Sequence, residues 1–372
     1  MCTYIIKTMY DYLVVGAGLN GMCFVDVILR YTDKTIMLVD KKVGPGGHWV
    51  DPYPHVHLHQ KAEYYGIESL KLTDGSGLSV KKHFEKALEI FSQNKNFSCS
   101  FNVSIDFENI DIPHKCFVDA TYLTVHRLPP KWNMSTPWTI RHRASLVRHV
   151  VIGGGKTGMD TCVWLRKQGI PVTWVVSHDA VWLKREMIDD LGPVPSLFWA
   201  RITDFIVKRL NPWFALRQDN RVFSLSSTPT RHRCAIVTTE EYNIIQGVDI
   251  VRHGYVKERK GSTLVFEDGE KIDFADSEFV DCIQNGIPVR NTVPIFQKNK
   301  IVLQPIAMCQ QSFSAVTIAK LEARNIKLDL KPLQHPKTLA DGVHGYSTSM
   351  VNLAVLKKHA NWVFDTRLNQ YI

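Results

Sequence analysis

The 372-residue chain has eight cysteines but no CxxC pair. Their scattered spacing matches neither a zinc site nor a disulfide framework. A reducing compartment is therefore expected, with the cytoplasm as the location. In that setting the Asn-x-Ser sequons at Asn96, Asn102 and Asn133 carry no glycan. Disulfide exchange of the thioredoxin type needs a redox-active cysteine pair, so the missing CxxC removes that class. No cysteine cluster could hold an iron–sulfur centre. Long apolar runs are missing too. The best candidate for a membrane span, YLVVGAGLNGMCFVDVILRY, is broken by Asn20 and Asp26, so no integral membrane segment is expected. The early apolar residues run straight into a folded motif, so no cleavable signal peptide is expected. A basic tail is also absent. Much of the net charge of +9 lies instead between Arg201 and Arg233. It reads as a solvated basic face rather than a nucleic-acid site.

Glycine is present where it matters. In DYLVVGAGLNGMCFVDVILR, the apolar run Tyr12 to Val15 reads as a buried parallel strand. Gly16-x-Gly18-x-x-Gly21 follows, and then an amphipathic run from Met22 to Leu29. Gly16 permits the tight turn, Gly18 lets backbone approach a pyrophosphate, and Gly21 lets helix pack on strand. The helix N-terminus then offers free N–H groups to phosphate. A second apolar strand, TIMLVD, ends in Asp40, 24 positions after Gly16. That offset suits a carboxylate that accepts from an adenosine ribose.

KKVGPGGHWV follows, with Gly44, Gly46 and Gly47 just beyond the acid. Here the chain resembles the two-dinucleotide-binding flavoproteins, whose FAD site is marked by an acid, a short spacer and a Gly-Gly-x-Trp loop. The resemblance implies that Asp40 holds the FAD ribose. It also implies that Gly46, Gly47, His48 and Trp49 approach the phosphates or the ring.

The design recurs in RHVVIGGGKTGMDTCVWLRKQGIPVTWVVSHD. Val150 to Ile152 read as a strand, Gly153-x-Gly155-x-x-Gly158 as the turn, and Met159 to Lys167 as a helix that stops at Gly169. GGGKTG is not a P-loop, because Val150 stands where that motif needs its first glycine. The 24-residue offset now lands on Ser177, not on an acid. A hydroxyl with His178, Lys184 and Arg185 nearby suits a 2′-phosphate, which a carboxylate would repel. NADPH is the expected cofactor, with NADH the alternative; Asp179 is the one acid close by. Two fingerprints 137 residues apart (153 − 16) resemble oxidoreductases with an NADPH domain inserted into an FAD domain.

The expected fold is α/β, with two Rossmann-like, three-layer dinucleotide-binding domains, the NAD(P) domain inserted into the FAD domain. The bounds are 1–145, 146–285 and 286–372. CFVDATYLTVHRLPP and EFVDCIQNGIPV resemble the family's crossings between domains. IVRHGYVKERKGSTLVFEDGEKIDF alternates apolar and polar residues and reads as a small antiparallel layer. In the return segment a helix is expected to start near Ser312 or Ser314; the resemblance places that start beside the flavin ring. A C-terminal helix is expected to bury Met350, Leu353, Ala354 and Leu356. Residues 196–217 form an amphipathic pattern. Core packing is favoured there over a substrate lid, a dimer contact or a peripheral membrane contact.

The reaction left open is flavin chemistry with oxygen or a small-molecule substrate. The family's FxGxxxHxxx fingerprint and its GD pair are both missing. The whole chain more closely resembles the uncharacterised bacterial and fungal FAD–NAD(P) oxidoreductases with GGHW and LHQ stretches. The expected activity is that of an FAD- and NAD(P)H-dependent oxidoreductase, monooxygenase-like. The alternatives are a flavin reductase or NADPH oxidase without a specific substrate, and a poorly active redox-sensing flavoprotein. YPHVHLHQK places His55, His57 and His59 at alternate positions, on one face if the segment is a strand. Alternate side chains of a strand lie about 7 Å apart, too far for His55 and His59 to share a metal without a bend. A pocket wall beside the flavin is the leading reading, with His59 and Gln60 nearest the ring as the candidate catalytic residues.

Overall fold

The computed structural model describes residues 9–140, 147–186, 217 and 220–369. Apart from Arg217, the amphipathic stretch 196–217 lies outside the described residues. Two parallel sheets carry the fold. In the first, β1 (Tyr10–Val15) pairs with β2 (Ile36–Asp40) and β4 (His114–Asp119). β3 (Phe97–Phe101) flanks β2, and β15 (Lys300–Val302) flanks β4. The order is β15-β4-β1-β2-β3. The second sheet contains β5 (Arg148–Ile152), β6 (Val172–Val175), β10 (Asp249–Val251) and β14 (Ser277–Asp281), in the order β10-β6-β5-β14. Chain order within the second sheet repeats that of β3-β2-β1-β4 in the first. The central strands are apolar almost throughout because helices and loops cover both faces. Leu13, Val14, Leu38, Val39, Val150 and Val151 are all fully buried.

β15, which follows the second sheet in sequence, closes the first sheet, so the second domain is an insertion. The two crossings run beside each other and are bonded together. Tyr122 donates its hydroxyl proton to the Arg290 carbonyl, and Arg290 donates to the Thr121 carbonyl. The Leu128 N–H reaches Gln284, and the Lys131 N–H reaches Asp281.

α1 (Leu19–Tyr31) and α5 (Gln311–Ala323) lie side by side on the first sheet. α2 (Gly77–Ser92) covers β3; its cap is Ser76, which accepts from the Ser79 N–H. α3 (Lys156–Lys167) and α4 (Thr239–Gln246) serve the second sheet. An antiparallel meander of β11 (Val256–Lys260), β12 (Thr263–Phe266) and β13 (Lys271–Asp273) stands beside it. This is the expected small layer, with one correction: Ile250 and Val251 belong to β10 of the parallel sheet, not to the meander. A further sheet, β8-β7-β9, joins β7 (Ala180–Lys184), β8 (Val222–Phe223) and β9 (Arg231–Val237).

The C-terminal helix, α6 (Leu339–His359), begins earlier and buries a different face than its apolar pattern suggests. Ala354 is exposed, while Gly345, Ser349 and Asn352 face inward. The reason is the neighbour, which is bare backbone. Ser349 accepts from the Met308 N–H, and Asn352 serves Ile306 and Lys331 together. Polar side chains are the stable choice opposite unpaired peptide groups.

Buried histidines make this fold sensitive to acid. His83 accepts the Ile67 N–H at Nε2, 3.1 Å away, so it must be neutral there. Burial pushes its pKa down to about 4, and that of His55 to about 4. A folded-state pKa below the unfolded value of about 6.5 means that the unfolded chain binds more protons between those limits. The contribution of these two histidines to stability is therefore full above about pH 6.5 and falls as pH drops towards 4. The melting temperature should decline across that window, and His83→Gln should flatten the decline. A melting temperature constant from pH 7 to 4.5 would contradict this.

Candidate functional site

The first glycine turn is built for close approach. Gly16 adopts a φ of +108°, and a Cβ on Gly21 would stand 1.9 Å from the Gly16 carbonyl oxygen. α1 starts under Gly18 with no side-chain cap, so its first N–H groups face the turn. Asp40, 8% exposed, ends β2 beneath it. Its carboxylate accepts from the Ala17 N–H at 2.6 Å and the Lys42 N–H at 2.7 Å. A carboxylate has about four acceptor positions, so two remain for further donors. The loop after Asp40 folds back on the turn. Gly46 and Gly47 take φ values of +111° and +62°, and a Cβ on Gly47 would lie 3.1 Å from Gly18 Cα. The two glycine loops thus touch backbone to backbone. His48 is exposed above them. Trp49 is buried in the core, and its indole N–H donates to the Tyr65 hydroxyl.

Across from α1, helix α5 begins at Gln311, one residue before the expected Ser312. Ser314 accepts from the Ile306 and Ala307 N–H groups and so shapes the approach to the helix. The Ser312 hydroxyl, 2% exposed, has no hydrogen-bond partner among the described residues. A small cavity lined by Asn20, Leu123, Gln304, Gln311 and Ser314 separates the two helix starts. A buried unpartnered hydroxyl, two uncapped helix ends and touching glycine loops fit a dinucleotide with a polar ring edge.

The second turn copies the first. Gly153 has φ +132°, and its Cβ would meet the Cys282 carbonyl at 2.7 Å. The Trp174 indole N–H donates to the Gly153 carbonyl at 2.9 Å. Gly155 has nothing within 4 Å of where a Cβ would stand, leaving the face of the turn open.

Ser177 and His178 are half-buried just past β6, with His178 leaning on Tyr255. Asp179 is bonded to the segment at 225–226. Its carboxylate accepts from the Leu225 N–H, the Ser226 N–H and the Ser226 hydroxyl. Arg252 follows β10, whose Val251 pairs with Val175, so it stands beside the Ser177 end of the sheet. It donates to the Leu225 carbonyl, and Arg217 donates to the Ser226 carbonyl. Sequence reasoning missed Arg252, since only the pairing of β10 with β6 brings it there. Arg185 lies past the far end of β7 and donates to the Gln60 carbonyl, apart from Ser177 and His178.

That last contact belongs to an arm of the first domain, residues 53–60, that crosses to the second. It is not a strand. A turn closes on Tyr53, and the only bridge within the arm pairs His57 with Ser76. The three imidazoles consequently diverge. His55 stacks on Trp164 of α3 at 4.8 Å and bonds Thr161. His57 is exposed. His59 is half-buried beside Lys156, Glu241 and Arg185; burial first, then the two cations, hold its pKa down at about 3. The Gln60 amide donates to the Tyr64 carbonyl. Among the described residues no group of three or more His, Cys, Asp or Glu side chains is placed to hold a metal.

Under the arm lies an ion cluster at the start of α3. The Lys156 ammonium reaches Asp160 at 2.6 Å and Glu241 at 2.8 Å. The Tyr53 hydroxyl donates to Asp160. Glu241 is held by a capping box, its other oxygen accepting the Thr238 N–H. Burial alone would lower the Lys156 pKa; the two carboxylates overcome it and keep the amine charged.

Two parallel Rossmann-type sheets, each with a glycine turn at the start of its first helix and one inserted into the other, make a two-domain α/β fold. Solved structures agree. The chain resembles oxidized steroid monooxygenase bound to NADP, with TM-score 0.58 and 12% identity, covering 86% of this chain and 85% of that one. It resembles the OTEMO complex with FAD and NADP, with TM-score 0.54 and 13% identity over 96% of this chain and 91% of the other. Cyclohexanone monooxygenase from Rhodococcus sp. Phi1 bound to NADP+ gives TM-score 0.53 and 15% identity over 86% and 85%. At such identities the likeness is one of fold. Among curated proteins, uncharacterized proteins of Mycobacterium tuberculosis and Mycobacterium bovis are each 27% identical, over 96% of this chain and 77% of theirs. No protein-family model matches.

Proposed function

We propose that the chain is an FAD- and NADPH-dependent oxidoreductase of the monooxygenase type, acting on oxygen and a small organic substrate. One observation carries this reading: two glycine turns of the same geometry stand on two domains joined by a hydrogen-bonded pair of crossings. The likeness to structures holding FAD and NADP supports it.

Gly18, Gly46, Gly47 and the start of α1 would receive the FAD pyrophosphate, Asp40 its ribose, and Ser312 the polar edge of its ring. Gly155 and the start of α3 would receive the NADPH pyrophosphate. Bound FAD supplies hydride acceptance from the nicotinamide and electron transfer to oxygen. The chain's own residues position and exclude. The arm at 53–60, pinned by Tyr53, His55 and Arg185, would keep water from the space between the turns. His59, neutral at physiological pH, would stand on the wall of that space with Gln60.

Preference for NADPH rests on Ser177 at the 2′ position, Asp179 bonded to residues 225–226, and Arg252 beside the same sheet end. Arg252→Ala should raise the KM for NADPH about tenfold, the value of one charge-assisted phosphate contact. The KM for NADH should hardly move. Equal changes for both coenzymes would remove Arg252 from the 2′-phosphate site.

Anaerobic NADPH should bleach the flavin of the purified protein, and readmitted oxygen should restore its colour. Oxygen appearing in an added ketone, sulfide or amine would support the monooxygenase. Release of peroxide alone would favour the oxidase, and no bleaching would defeat both.

A further inference from the structure

We propose that Cys234 and Cys309 form a reversible thiol–disulfide modification site, oxidised by hydroperoxides, that pins the inserted domain to the return segment of the first domain. The two residues are 75 positions apart in sequence, yet their Cα atoms lie 5.9 Å apart and their sulfurs are joined. This corrects the expectation that the scattered cysteines match no disulfide framework and include no CxxC or equivalent redox pair.

Cys234 lies in β9 of the inserted domain, and Cys309 lies just before α5. Both take left-handed backbone, φ +51° and +60°, which L-residues seldom adopt. Such outliers persist where the surroundings fix them, and here they hold two sulfurs face to face.

The joint they cross is also held by noncovalent contacts. It has an apolar patch, with Leu183 and Ile236 on one side and Met308, Leu333 and Tyr346 on the other. One bridge, Arg231 to Thr338, and the bond from the His232 N–H to the Lys337 carbonyl add backbone contacts. A covalent bond across the joint removes whatever relative motion these contacts leave.

The pair is also accessible. Both cysteines are half-buried, whereas Cys23, Cys162 and Cys282 are buried, with thiols that burial pushes upward. His232 Nε2 lies 3.9 Å from Cys234 Sγ, and the Tyr346 hydroxyl lies 3.6 Å from Cys309 Sγ, so each sulfur has a polar neighbour.

In the oxidation, one thiolate attacks a peroxide oxygen. An S–O bond forms, the O–O bond breaks, and the remaining oxygen leaves as water or alcohol after taking a proton. The second thiol then attacks that sulfur, the S–S bond forms, and water leaves. Two electrons pass from the thiol pair to the peroxide, and a dithiol reductant reverses the change. The source of peroxide, uncoupled oxygen reduction at the flavin, rests on the proposed function; the site itself does not.

Full-length protein is reduced, desalted, treated with hydrogen peroxide and alkylated after unfolding. Free thiols should fall from eight to six, with one linked peptide containing Cys234 and Cys309. Cys234→Ser and Cys309→Ser should each keep all seven remaining thiols. Hydrogen exchange in 231–237 and 306–311 should be about tenfold slower in the oxidised wild type, and dithiothreitol should restore it. Linkage between other cysteines, no linkage, or exchange unaffected by the bond would overturn the proposal. A failed flavin reading would show separately, as no bleaching by NADPH.

Discussion

Gly158→Ala is expected to leave bound FAD in place and to slow its reduction by NADPH about a hundredfold, the scale of an ångström-level displacement at a reacting centre. The added Cβ would stand 2.1 Å from the Gly153 carbonyl oxygen and 3.0 Å from the Trp174 indole nitrogen. The first contact is backbone, so no side-chain rotation relieves it. α3 must back away from β5, and its first turn recedes from the pyrophosphate it would bind. Gly21→Ala is the mirror experiment. Its Cβ would lie 1.9 Å from the Gly16 oxygen, so this variant should purify without FAD. Flavin absorbance and rapid-mixing reduction rates separate the two, with circular dichroism confirming that both fold. A Gly158→Ala protein with wild-type reduction kinetics would show that the second turn does not bind the coenzyme.

Arg367→Ala is expected to destabilise the chain by about 3–5 kcal/mol. Its guanidinium donates to the carbonyl oxygens of Glu63, Ile67, Glu68 and Leu70, which lie about 300 residues earlier. Each part-buried acceptor left without a donor costs up to about 1–3 kcal/mol, and shared reorganisation keeps the sum below simple addition. Total stabilities are about 5–15 kcal/mol, so much of the margin is at stake. Lysine cannot rebuild a fork that serves four carbonyls, so Arg367→Lys should recover little. Thermal melts should fall by about 5 °C or more, given roughly 2–4 °C per kcal/mol in chains of 150–250 residues. A fall below 1 °C would mean that water replaces the guanidinium without loss.

Local chemistry was legible in the sequence wherever it is local in space. Gly16 to Gly21 and Gly153 to Gly158 each act within one turn, so their spacing carries their geometry. Asp40 ends the strand beside the first turn, and its offset is set by one helix and one strand. Contacts made by strand order were not legible. Arg252 reaches the Ser177 end only because β10 pairs with β6. β7 carries Arg185 away from Ser177, although only eight residues separate them (185 − 177). Cys234 meets Cys309 through the packing of β9 against the return segment. The three histidines misled because alternation was read as a strand. Pro52 and Pro54 flank Tyr53, whose carbonyl closes a turn on Val56, and the arm docks on α3 instead. That docking changes their meaning, since His55 now joins two domains and His59 stands beside the ion cluster of Lys156.

The central claim is that two dinucleotides meet between these domains. Its most direct test is an anaerobic titration of the purified protein, supplemented with FAD, followed by flavin absorbance as NADPH is added. One FAD per chain and complete bleaching by one equivalent of NADPH, faster than by NADH, are expected. A chain that binds no FAD, or binds it without reduction by either coenzyme, would contradict it.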